Sequence, residues 1–190
     1  IEGLPYALAI PAAGIDSAET IKEKWLEVIK EPANTKHLRQ LGFYTNETCE
    51  ILPVKINGFD FPALRMRRFQ DLPYEIRDAK NLHSSTGDSW VLGKKGLNRL
   101  DQKKLSKAIN TLGQEIKSLI NQGIKLKQDS FNICLDKGDP HLYFNDLGSA
   151  KFEKINEEEK PSYIKYYSHH AAYALTMAPR KEEYDKIKDT

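Results

Sequence analysis

Three oxygen-bearing side chains cluster in one polar stretch of the chain: Asp129, Asn132 and Asp146. Asn132 opens a short apolar run, Asn132-Ile133-Cys134-Leu135. A second run, His141-Leu142-Tyr143-Phe144, leads to Asp146. Asp136-Lys137-Gly138-Asp139-Pro140 between them is rich in turn formers. Such a pair of runs predicts a hairpin, which returns its second strand beside its first. Asn132 and Asp146 are therefore expected to converge. An amide oxygen and a carboxylate meeting at one point are hard ligands, suited to magnesium held against phosphates. Asp129, three residues before Asn132, is placed to orient or deprotonate a hydroxyl.

The elements that must position these groups follow from local pattern. Residues 6–10 are an apolar run that predicts a strand, ended by Pro11 and a turn at Gly14. Asp16 with Glu19 three residues on predicts a helix start. Ile21, Trp25, Val28 and Ile29 recur at helical spacing, and Pro32 is expected to end that helix. Residues 35–41 predict a second short helix closed by Gly42. Residues 49–56 and 61–69 read as strands, with Asn57-Gly58 as the tight turn between them. Residues 70–100 read as loop. Leu105, Ile109, Leu112, Ile116 and Leu119 then step by four and three along a helix that starts near Asp101 and is capped by Gly123. Residues 124–132 are polar and without period, and residues 163–177 predict the final helix.

This order resembles the protein-kinase-like superfamily. Asn132-Ile133-Cys134-Leu135 is similar to the end of the family's catalytic loop and the strand after it. Asp146-Leu147-Gly148 resembles the family's metal-binding Asp-Phe-Gly turn. The resemblance spans roughly residues 6 to 152 and implies a minimal bilobal fold of the α+β class. Residues 1–69 would form a small N-lobe, 70–80 a hinge, 81–178 a reduced helical C-lobe, and 179–190 a charged tail. It implies ATP with Mg²⁺ (or Mn²⁺) as cofactors and a phosphoryl group passed to a protein hydroxyl. Asp129, Asn132 and Asp146 would then be the catalytic set, with Asn132 and Asp146 on the metal. Glu27, or Glu23, would be the helix glutamate, and Lys127 and Arg68 would lie near the nucleotide.

The chain also departs from that pattern. The position five before Asn132 holds Lys127 where the family has its Asp. No Gly-rich phosphate loop is present, and Pro11 stands where an anchoring lysine is expected. Another transfer reaction on the same fold, of a nucleotidyl group or an amino acid, is one reading, and two more stay open. In one, the loop is shortened and Asp129 is the base. In the other, the chain is a pseudokinase that docks a host protein or a polyanion, such as an inositol polyphosphate or a phosphoinositide headgroup. Arg65, Arg67 and Arg68 on one strand, with Lys94-Lys95 and Lys103-Lys104, would be its basic surface. The compact size resembles the divergent kinases that intracellular bacteria deliver into host cells, which implies action in the cytoplasm, including that of a host.

Composition narrows the field further. The 190 residues are 39% hydrophobic and 29% charged, too apolar and too balanced for a disordered segment. A formal net charge of +2 gives no reason to expect nucleic acid as a partner. No apolar run approaches the roughly 18 residues of a membrane span. Cys49 and Cys134 are too few for a disulfide framework and are expected to be free thiols in a reducing compartment. The adjacent His169 and His170 point about 100° apart on a helix and read as surface or interface groups. The start at Ile1-Glu2-Gly3 suggests that the sequence begins inside a longer protein.

Overall fold

The computed structural model describes residues 6–10, 18–68, 71–78, 102–127, 130–137 and 139–176. The architecture is α+β. In chain order the elements are β1 (Tyr6–Ala9), α1 (Ala18–Gln40), β2 (Tyr44–Thr45), β3 (Cys49–Ile56), β4 (Phe59–Arg67), β5 (Glu75–Asp78), α2 (Gln102–Asn121), β6 (Ile124–Lys125), β7 (Phe131–Asp136), β8 (Asp139–Phe144), β9 (Lys151–Phe152) and α3 (Lys160–Thr176).

The first sheet is antiparallel in the order β1-β4-β3. Its hairpin turns at Asn57 (φ 51°) and Gly58 (φ 86°), two successive left-handed residues that match the strands' own twist. Trp25 of α1 stacks on Phe61 of β4, which seats the helix on this sheet. The arginines expected as a basic strand surface each face a carboxylate: Arg65 pairs with Glu50, Arg67 with Glu47, and Arg68 with Asp71.

The second sheet has the order β2-β8-β7-β5, with β2 parallel to β8 and the other pairs antiparallel. Side chains alternate across it. Ile133, Leu142 and Phe144 face the main core with Ala108, Leu112, Ile116, Leu119 and Ile120 of α2 and Tyr167 and Ala171 of α3. Cys134 and Tyr143 face the other way, onto Leu72 and Ile76. Burial on both faces explains why both runs are continuously apolar rather than alternating. A third ladder pairs β6 with β9, flanking the hairpin in sequence.

Several expectations change: strand β5 (Glu75–Asp78), held by its pairing with β7, lies in the stretch read as loop, and the separate helix expected at 35–41 is the end of α1. Pro32 does not end the first helix; α1 runs through it to Gln40. A proline inside a helix costs a hydrogen bond and crowds the carbonyl four residues back, about 3 kcal/mol in isolation. Glu31 and Asn34, on either side of Pro32, hold the backbone of residues 146–148 and offset that cost. Ile29 and Ile109, both counted in apolar stripes, are exposed, while Ala108 is buried. His170 is buried and packs edge-on against Tyr166, whereas His169 is on the surface. Both cysteines are free thiols, and burial pushes Cys49 up to about 11. Among the described residues, no helix is long and apolar enough to cross a membrane.

Candidate functional site

The hairpin does what its turn residues predict. In its register Asn132 lies opposite Tyr143 and Phe131 opposite Phe144. The start of β7 is thereby set beside the segment that leaves β8. Three hydrogen bonds stitch the two together. The Asn132 amide donates to the Asn145 side-chain oxygen. Ser130 Oγ donates to the Asp146 carbonyl at 2.7 Å, and the Asn145 N–H donates to the Ser130 carbonyl at 3.3 Å. Asp146 sits at φ 57°, a left-handed conformation that a short polar side chain tolerates. Its side chain is exposed at the cleft, while Leu147 behind it is fully buried.

Helix α1 clasps this turn from the other side. Glu31 is only 2% exposed and accepts backbone N–H groups from Leu147, Gly148 and Asp146. Asn34 Nδ2 donates to the Leu147 carbonyl at 2.7 Å. These two residues flank Pro32 and hold the helix on course through it. Gly148 lies so close to α1 that an added Cβ would fall 2.8 Å from the Glu27 Cα and closer still to its carbonyl group. Burial pushes the Glu31 carboxyl from its ordinary 4.5 up to about 7. The three N–H donors pull it down, and the neighbouring Asp146 charge adds to the rise.

Between α1, the first sheet and the turn lies a cleft of about 330 Å³. Its apolar wall includes Val28, Leu64 and Met66, and its polar wall includes Glu31, Asn145 and Asp146. Lys24, Glu27, Val28 and Glu31 all line it, at the i, i+3, i+4, i+7 spacing of one helix face.

The expected site residues are distributed as follows. Asp146 lines the cleft. Asn132 lies behind it, 1% exposed, with its side-chain oxygen making no hydrogen bond among the described residues. Glu27 lines the cleft and bonds Lys127 Nζ at 2.9 Å. This ion pair links α1 to the loop that precedes β7. Glu23 is exposed and outside the cleft, and Arg68 is engaged by Asp71. Asp129 lies outside the described residues, as do Pro11, Gly14, Asp16, residues 79–101 and the tail beyond residue 176. Gln70 of the expected hinge lies there too.

Sequence reasoning missed Glu31, Asn34, Lys24 and Asn145. The signal for Lys24 and Glu31 was the spacing itself, since both fall on one helix face with Glu27. Asn145 adjoins the Asp-Leu-Gly turn in sequence. Upstream of it, the loop before β7 is held by Tyr167 of α3. Its hydroxyl accepts the Leu126 N–H at 3.0 Å and donates to the Ile124 carbonyl at 2.9 Å, all of it buried.

The residues present fit a divalent cation. A buried amide oxygen with no partner among the described residues and an exposed carboxylate are both hard donors. No group of three His, Cys, Asp or Glu side chains able to hold a metal occurs among the described residues. An ion here would therefore keep most of its shell from phosphate oxygens and water, as magnesium prefers. In comparisons with known proteins, no protein-family model and no curated protein matches this chain.

Proposed function

We propose that this cleft binds ATP with Mg²⁺ (or Mn²⁺), and that the chain passes the γ-phosphoryl group to a protein hydroxyl as a divergent enzyme of the protein-kinase-like kind. One observation carries the reading. The Asp146-Leu147-Gly148 turn presents a carboxylate to a cleft with one apolar wall, and the Asn132 oxygen, without a partner among the described residues, lies beside the same turn. Asp146 and Asn132 would hold the metal. When bound, the metal supplies charge neutralisation on the phosphate oxygens that accumulate charge during transfer. Val28, Leu64 and Met66 give a purine ring the apolar surface that such sites use. Asp129 would orient the acceptor hydroxyl, and most of the rate would come from positioning. The clasp of Glu31, Asn34 and Gly148 fixes the turn against α1, so that Asp146 is held rather than searching. Intact-mass measurement of protein acceptors after incubation with ATP and Mg²⁺ tests the reaction type. Addition of a phosphate group is expected, and addition of a nucleotidyl group contradicts phosphoryl transfer.

A second reading rests on Lys127. A lysine tied to Glu27 occupies the position five before Asn132, where a catalytic carboxylate would act. Under it the chain is a binding module for a polyanion or a host protein. Thermal shifts separate the two. Stabilisation by ATP with Mg²⁺ supports the enzyme, and stabilisation by inositol hexakisphosphate alone supports the module.

A further inference from the structure

We infer that Lys24 is the residue that holds the phosphate chain of a nucleotide in this cleft, an assignment that rests on reading the cleft as an ATP site. The charged residues lining the cleft, among those described, are Lys24, Glu27, Glu31 and Asp146. Lys24 is the one cation of that set. Strand β1 contributes Ala9 to the lining, and its sequence, Tyr6-Ala7-Leu8-Ala9, contains no lysine. Helix α1 supplies what the strand does not.

The placement on α1 follows from its period. Lys24 and Glu31 are seven residues apart on the cleft face, about 10 Å along the axis. The Glu31 end of that face grips the backbone of the Asp146 turn. Lys24 stands toward the other end. A triphosphate entering a cleft that already carries three carboxylates needs positive charge at more than one point. A divalent ion at Asp146 would meet one end of it. An ammonium is a compact point charge with three donors, and it binds phosphate without demanding a fixed approach. Lys24 is half-buried against the cleft wall, while Lys22 on the same helix is exposed and off the cleft.

Titration of the full chain with ATP–Mg²⁺ and, separately, with adenosine tests the assignment. The comparison covers wild type, Lys24→Met, Lys24→Arg and the charge-matched control Lys22→Met, with melting temperatures confirming that each is folded. Lys24→Met is expected to weaken ATP–Mg²⁺ binding at least tenfold while leaving adenosine binding unchanged. Lys24→Arg is expected to stay within about threefold of wild type, and Lys22→Met to match it. Undiminished ATP binding by Lys24→Met overturns the role of Lys24 and leaves the cleft reading standing. Equal loss of ATP and adenosine overturns the phosphate contact. A wild type that binds neither ligand overturns the cleft reading and this assignment with it.

Discussion

Gly148 of the Asp-Leu-Gly turn lies against the backbone of Glu27 in α1, with no room between them for a side chain. A Cβ at position 148 would fall 2.8 Å from the Glu27 Cα. The obstacle is backbone, which cannot rotate away as a flexible side chain would. The same approach lets Glu31 and Asn34 reach the turn, so one glycine sets the distance between helix and candidate metal ligand.

Gly148→Ala should therefore destabilise the protein by about 3 kcal/mol, the upper end of overpacking costs. The variant should also lose ATP binding, because α1 must move off the turn. Denaturant midpoints check the first effect and ATP–Mg²⁺ titration the second. An unchanged midpoint would contradict the close packing.

Glu31 gives the fold a pH dependence whose sign is set by its raised pKa. Its carboxyl moves from about 4.5 in the unfolded chain to about 7 in the folded one. Between these values the folded state binds more protons, so stability falls as pH rises through the window. The full shift corresponds to about 3 kcal/mol. Glu31→Gln keeps an acceptor for the turn's N–H groups and removes the charge. It should be more stable than wild type above pH 7 and should lose that advantage toward pH 4.5. Metal-free denaturation curves across the range measure this. Parallel pH profiles for the two proteins would refute it.

Tyr167→Phe tests how the loop before β7 is anchored. The change removes one hydroxyl and leaves the buried Leu126 N–H and Ile124 carbonyl without that partner. An unmet buried group costs about 1–3 kcal/mol. We expect a loss in that range by chemical denaturation. Phosphoryl transfer should fall with little change in ATP affinity, since the loop and not the cleft is disturbed.

The Glu27–Lys127 pair should behave differently. Its side chains are 44% and 58% exposed, so water screens the attraction. Exposed pairs of this kind contribute about 0–1 kcal/mol. A double-mutant cycle with Glu27→Gln and Lys127→Met should return a coupling below about 1 kcal/mol. The pair itself then adds little to holding the loop against α1. A coupling of several kcal/mol would mean that the pair locks the loop to α1.

How much of this could be read from the residues depends on how local each determinant is. Asn57-Gly58, the paired apolar runs around Lys137-Gly138 and the Asp-Leu-Gly turn are encoded within a few positions, and their elements appear where expected. Pro32 carries an equally local signal, yet α1 passes through it. The compensation comes from residues 146–148, more than a hundred positions away. Strands β2 and β6 are two residues long and have no period to detect. Asn132 lies beside the segment that leads to Asp146 because a hairpin dictates which residues become neighbours. Glu31 was missed because its partners are backbone N–H groups, which no residue type announces. Its glutamate also looks like any solvated helix residue until the turn is seen beneath it.

Phosphoryl transfer, as proposed, depends on the Asp146 carboxylate. Asp146→Asn is the most direct probe, since asparagine accepts the same left-handed backbone and removes only the charge. The measurement is transfer of label from γ-labelled ATP, with Mg²⁺ or with chelator, onto the chain itself and onto casein. Wild type should incorporate label only when the metal is present. Asp146→Asn, with an unchanged melting temperature, should incorporate at least a hundredfold less. Equal incorporation by the two proteins, or none by the wild type, would contradict the account.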